Sequence, residues 1–200
     1  MKRVFSYIAL ALILAEVLLV LVSWLLSATM LGGMRSLLSS EGLRWYAGHY
    51  TDLLLSPLLA WLLLLSMAAG CMLRSGVLGM LRRAANYRER VAASATSLFL
   101  IIYIGVVLLL AVVPHAVLRS ATGGLWPSPF SAALVPLLSF GVVLASSIYG
   151  LISGRLPHIS HVFQSLVDGL SASAPLLLLY VLFIQFYESL RFCFAYPAMP

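Results

Sequence analysis

Charge is what this sequence has least of. Only 9% of its 200 residues are Asp, Glu, Lys or Arg, and just six are acidic. A soluble domain carries about 25% charged residues. A chain that is 62% hydrophobic cannot hide that much apolar surface in a water-soluble fold of this length. Cysteine is nearly missing too. Cys71 and Cys193 are too few for a disulfide framework, which excludes a stapled secreted scaffold. Also missing are a Gly-rich phosphate loop, an HExxH helix and a GxSxG elbow. The six acids are scattered, and no Ser–His or Asp–Asp arrangement falls within the apolar runs. The chain is therefore read as a non-enzyme with no cofactor.

What is present is a series of apolar runs, at 4–30, 53–73, 91–113, 130–152 and 174–194. Each approximates the roughly 20 residues that cross a bilayer as a helix. The expected fold is all-α, a polytopic membrane protein with a bundle of five transmembrane helices in one domain, 1–200. The first run follows Met1-Lys2-Arg3 and is too long for a signal-peptide core, so it is expected to remain as a span. Pro57 and Pro175 fit the first turns of the second and fifth spans, and Pro136 is placed to bend the fourth.

The stretch 74–90, RSGVLGMLRRAANYRER, sets the orientation. It carries Arg74, Arg82, Arg83, Arg88 and Arg90 against Glu89 alone. A short basic loop between spans faces the cytoplasm. That places the N-terminus inside, a second inner loop at 153–173, and the C-terminus outside a bacterial inner membrane. The net charge of +6 lies beside spans, so membrane lipid rather than nucleic acid is the expected partner. Val77, Leu78 and Leu81 suit a short amphipathic helix on the inner surface. The loop 31–52 balances Arg35 and Arg44 with Glu41 and Asp52. In it, Ser40-Glu41 ahead of LRWY suggests a short surface helix. Pro114, Gly123-Gly124 and the Trp-Pro-Ser-Pro at 126–129 mark the next outer loop.

Few polar groups fall inside the spans. Glu16 lies near the middle of the first, where a carboxylate costs several kcal/mol unless it is neutralised, paired or turned to a polar interior. Gln185, Glu188 and Arg191 follow one another at single-turn spacing in the fifth. These four are the candidate substrate-binding residues, with Arg191 suited to an anionic small molecule. The alternative is that Glu188 and Arg191 satisfy each other. Ser146, Gly150 and Gly154 form a small-residue stripe for helix packing, and Ser66 with Gly70 repeats the spacing. His158 and His161 lack a third ligand, so no metal is assigned.

Several stretches, in order, resemble the p-aminobenzoyl-glutamate transporter (AbgT) family. They are LLSSEGLRWY at 37–46, the second span with its Arg74-Ser75-Gly76 turn, PSPFSAALVP at 127–136, IYGLIS at 148–153, and HVFQSLVDGLSASAPLLLLYVLFIQFYE after it. The resemblance implies a dimeric membrane carrier of p-aminobenzoyl-glutamate or similar folate catabolites. Family members are about two and a half times longer, with nine spans and two re-entrant hairpins that form the substrate site. The first hairpin's Ser-Asp-Ala-Gly-type motif has no counterpart at 79–99, and the second hairpin has none either. What remains resembles the scaffold and dimer-contact side, without the transport core. The alternative is a non-transporting membrane scaffold, as a homodimer or with a membrane partner subunit.

Overall fold

Proline and glycine set four of the helix ends, at Pro57, Gly76, Pro129 and Gly154. The computed structural model describes residues 2–29, 35–54, 56–81, 86–112 and 129–194. Arg82 and Arg83, the expected turn signals at Pro114 and 123–128, and the tail 196–200 lie outside the described residues. Helix α1 is Lys2–Ala28, α2 Ser40–Leu54 and α3 Pro57–Ser75. A 3-10 turn, Val77–Leu81, follows, and then α4 Tyr87–Val112, α5 Pro129–Ser153 and α6 Ile159–Phe194. All but α2 and the 3-10 turn are long and apolar enough to cross a membrane. The fold is all-α with five such helices, that of a multi-pass membrane protein.

Local chemistry explains the boundaries. The Ser39 hydroxyl caps α2 by accepting the N–H of Gly42 at 3.0 Å. Pro57 opens α3 where a missing N–H costs nothing. Gly76 ends α3 with φ of 70°, a left-handed conformation that favours glycine. Gly154 does the same for α5 with φ of 81°. Its N–H bonds the Leu151 carbonyl at 3.3 Å, and the N–H of Leu156 returns to the Gly150 carbonyl at 2.9 Å.

Three boundaries differ from the sequence expectation. The inner segment 153–173, read as a loop with a helix starting at 162–170, is mostly helix, because α6 already begins at Ile159. Pro175 therefore lies inside α6 rather than in its first turn. Within a membrane helix the carbonyl that proline orphans is re-satisfied by hydroxyls, neighbouring helices or local adjustment, so proline need not end the helix. Finally, α2 extends to Leu54, and the second span starts at Pro57 rather than at 53.

The chain divides into two compact units. Unit 1 comprises Met1–Ala60 and Ala174–Pro200. Its core is Leu37, Phe192 and Cys193, packed against Leu19, Val20 and Trp45. Trp45 stacks on Phe192 with ring centroids 4.6 Å apart, an arrangement worth about 0.5–1.5 kcal/mol beyond burial. The Ser56 and Tyr180 hydroxyls hydrogen-bond to each other.

Unit 2 is Trp61–Ser173. There α4 packs on α5, with the Tyr103 hydroxyl donating to the Leu137 carbonyl at 2.8 Å and its ring lying over Gly141. The first part of α6 crosses α3 at Gly70 and Gly169. A Cβ on Gly70 would stand 2.5 Å from both the Gly169 Cα and the Ser165 carbonyl oxygen. The backbones therefore touch where both helices have lost their side chains. Ser66 and Ser165, one turn before each glycine, are buried beside the crossing. Hydrocarbon is as apolar as leucine, so this packing rather than a hydrophobic drive holds helices together in lipid.

Candidate functional site

The polar groups inside the spans of unit 1 meet through a residue the sequence did not single out. Glu16, midway along α1, accepts a hydrogen bond from the Ser189 hydroxyl of α6 at 2.7 Å through Oε1. Gln185 lies one turn before Ser189 and donates its Nε2 to the same hydroxyl at 3.3 Å. Ser189 is fully buried. It thus joins Glu16 to Gln185, two candidates that do not bond each other directly. The second oxygen of Glu16, Oε2, is buried and has no hydrogen-bond partner among the described residues. A little further along, the Ser23 hydroxyl donates to the Val20 carbonyl at 2.9 Å and accepts the Leu37 N–H at 3.5 Å.

The other two candidates lie on a different face of α6. Glu188 and Arg191 approach each other at 3.7 Å, the i,i+3 pairing that the sequence allows as an alternative. Both line a hollow of about 530 Å³ with Arg35, Glu41, Arg44, Trp45 and Phe192. Arg35 pairs with Glu41 at 3.4 Å. Arg44 is exposed and has no acidic partner among the described residues. Three arginines against two glutamates leave one positive charge in excess. The stacked Trp45 and Phe192 supply an apolar wall. The four candidates thus separate into a polar relay between α1 and the end of α6, and a charged hollow on another face of the same turns. Arg35, Arg44 and Trp45 of that hollow were visible only as loop composition. The i,i+4 spacing of Gln185 and Ser189 was the available signal for the relay.

The packing candidates are equally separate. Ser146 is fully buried, and its hydroxyl has no partner among the described residues. A Cβ on Gly150 would meet the Leu156 side chain at 2.5 Å, so its neighbour is the turn that follows α5. Gly154 closes the helix end. Helix backbones also approach closely at Gly70 and Gly169. The Ser66–Gly70 spacing had marked one side of that crossing, and Ser165–Gly169 carries the same spacing on the other.

At the Gly76 and Gly154 ends of unit 2, charges pair across elements. Arg74 bonds Asp168, which also accepts from Gln164 at 3.1 Å. Arg155 bonds Glu89 at 3.2 Å and lays its guanidinium on Gly76. The rings of His158 and His161 lie 5.9 Å apart. Among the described residues no group of three or more His, Cys, Asp or Glu is placed to hold a metal ion. Cys71 and Cys193 are both free and buried.

No protein-family model, curated protein or solved structure matches the chain. Nothing in those comparisons ties it to the p-aminobenzoyl-glutamate transporter family that its stretches resemble. The functional reading therefore rests on the residues themselves.

Proposed function

We propose that this multi-pass membrane protein is a non-catalytic, non-transporting scaffold that associates with a second copy or with a membrane partner subunit. In this reading it is related to the scaffold side of the p-aminobenzoyl-glutamate transporters. It lies in a bacterial inner membrane, with the basic stretch after α3 in the cytoplasm.

One observation carries the reading. The polar groups of the relay in unit 1 are engaged with one another, Gln185 to Ser189 and Ser189 to Glu16. A carrier needs a central site whose polar groups are open to cargo, and such sites are commonly built from interrupted helices. Each of the five apolar helices described here runs through without interruption.

A second reading is favoured by the Glu16 Oε2, buried without a partner. An ionisable side chain within a span with an open valence suits a proton or cation path. In that reading the chain is itself a carrier, with Glu16 on the path.

Reconstitution into liposomes separates the two. Labelled p-aminobenzoyl-glutamate, offered under sodium and proton gradients, is expected to enter no faster than into empty liposomes. Saturable uptake abolished by Glu16→Gln or Glu188→Gln would overturn the scaffold reading.

A further inference from the structure

The hollow at the end of α6 has features the scaffold reading does not use. Its volume, about 530 Å³, falls within the roughly 300–1,000 Å³ of small-ligand sites. Its charges are placed unevenly. Arg35 is held by Glu41, and Arg191 by Glu188, which leaves Arg44 as the open cation of the hollow among the described residues. An occupant should therefore bring a single negative charge to Arg44. It should also bring apolar substance to the Trp45 and Phe192 rings.

The location narrows the choice. Glu188, Arg191 and Phe192 belong to the last two turns of a membrane-crossing helix. Arg44 and Trp45 belong to α2, whose sequence interleaves charged residues with Leu43, Trp45 and Tyr46. Arginine beside tryptophan and tyrosine at a span's end is the composition of the headgroup layer. A phospholipid offers both requirements at that depth: a phosphodiester with one negative charge, and a glycerol and acyl chain directly below it. Arginine suits that group because its planar fork donates two parallel hydrogen bonds to phosphate oxygens.

We propose that this hollow is a seat for one phospholipid, with the phosphodiester on Arg44 and the start of the acyl region against Trp45 and Phe192. The glutamates keep Arg35 and Arg191 oriented along the rim. The site discriminates by phosphate rather than by apolar bulk.

Native mass spectrometry of the detergent-purified chain tests this with three probes. Phosphatidylglycerol carries phosphate and chains, diacylglycerol carries chains only, and glycerol 1-phosphate carries phosphate only. One phosphatidylglycerol per chain is expected to survive release from detergent, while diacylglycerol and glycerol 1-phosphate are lost. Arg44→Ala is expected to lower the retained fraction roughly fivefold, the worth of one arginine at a lipid surface. Arg44→Lys should restore part of it. Arg44 is exposed, so both variants should fold, and an unchanged circular-dichroism melt verifies that. Equal retention of phosphatidylglycerol by wild type and Arg44→Ala would overturn the proposal. So would equal retention of diacylglycerol. Glycerol 1-phosphate held as firmly as the lipid would assign the site to a soluble phosphate and overturn the lipid.

Discussion

The two units solve the same problem, holding helices together in lipid, with different chemistry. In unit 2 the contact is backbone on backbone, at Gly70 and Gly169, and its ion pairs lie at helix ends. In unit 1 the contact is made by side chains, through the Ser189 relay and the Trp45–Phe192 stack. Unsatisfied polar atoms differ in kind as well. Among the described residues, unit 2 buries three lone hydroxyls, Thr96, Ser139 and Ser146, and unit 1 buries one carboxylate oxygen, of Glu16. A hydroxyl without a partner costs a modest amount, whereas an open carboxylate valence in hydrocarbon costs far more. Unit 2 is built for proximity, and unit 1 for polar contact.

The sharpest way to break this contrast is to restore a side chain at the crossing. Gly70→Ala would press its methyl against the Gly169 backbone, which cannot rotate away. We expect a loss of about 1–3 kcal/mol, the usual cost of overpacking, or failure to fold. Gly150→Ala meets only the flexible Leu156 side chain and should cost less. Gly105 has open space around it, so Gly105→Ala should leave the melt unchanged. Thermal melts in detergent check the order, and equal losses at positions 70 and 105 would remove proximity as the basis of unit 2.

A smaller effect is expected in unit 1. Ser189→Ala removes the donor to Glu16 and the acceptor of Gln185 together, a loss of about 1–2 kcal/mol in denaturant titrations. Glu16→Gln keeps an oxygen for Ser189 and should retain most of the stability. If Ser189→Ala melts like the wild type, side-chain bonding does not hold unit 1.

The smallest effect belongs to the ion pair at the end of α3. Arg74 and Asp168 are each nearly half exposed, at 45% and 46%. Such pairs contribute about 0–1 kcal/mol. A double-mutant cycle of Arg74→Ala and Asp168→Ala should yield a coupling below that of the Ser189 relay. A larger value would place the stability of unit 2 in its charges rather than its glycines.

The spans were legible because hydrocarbon imposes a length and a composition on any helix that crosses it, and 4–30 against Arg3–Ala28 shows how closely. The Ser39 cap and Pro57 start were legible because they are local. Pro175 misled for a physical reason: proline interrupts helices in water, yet a membrane helix can carry it. The relay was hidden because Glu16 and Ser189 are 173 residues apart, and a serine in an apolar run looks like any other. The Gly70–Gly169 crossing was half legible. Ser66–Gly70 has the right spacing, but spacing on one helix does not name its partner.

The length of α6 has a mechanical consequence. Its 36 residues extend about 54 Å at 1.5 Å each, while the hydrocarbon layer is only about 30 Å thick. The surplus must project beyond the apolar slab or be taken up by tilt. Gln164 and Asp168 in the early turns suit projection, with Asp168 tethered to Arg74. A thicker bilayer would draw those charged turns toward hydrocarbon, and a thinner one would expose more of the apolar stretch beyond Pro175. Either mismatch costs a fraction of a kcal/mol per ångström. Bilayer thickness thus decides how much of α6 lies in hydrocarbon, with the Arg74–Asp168 pair near the end where the surplus projects.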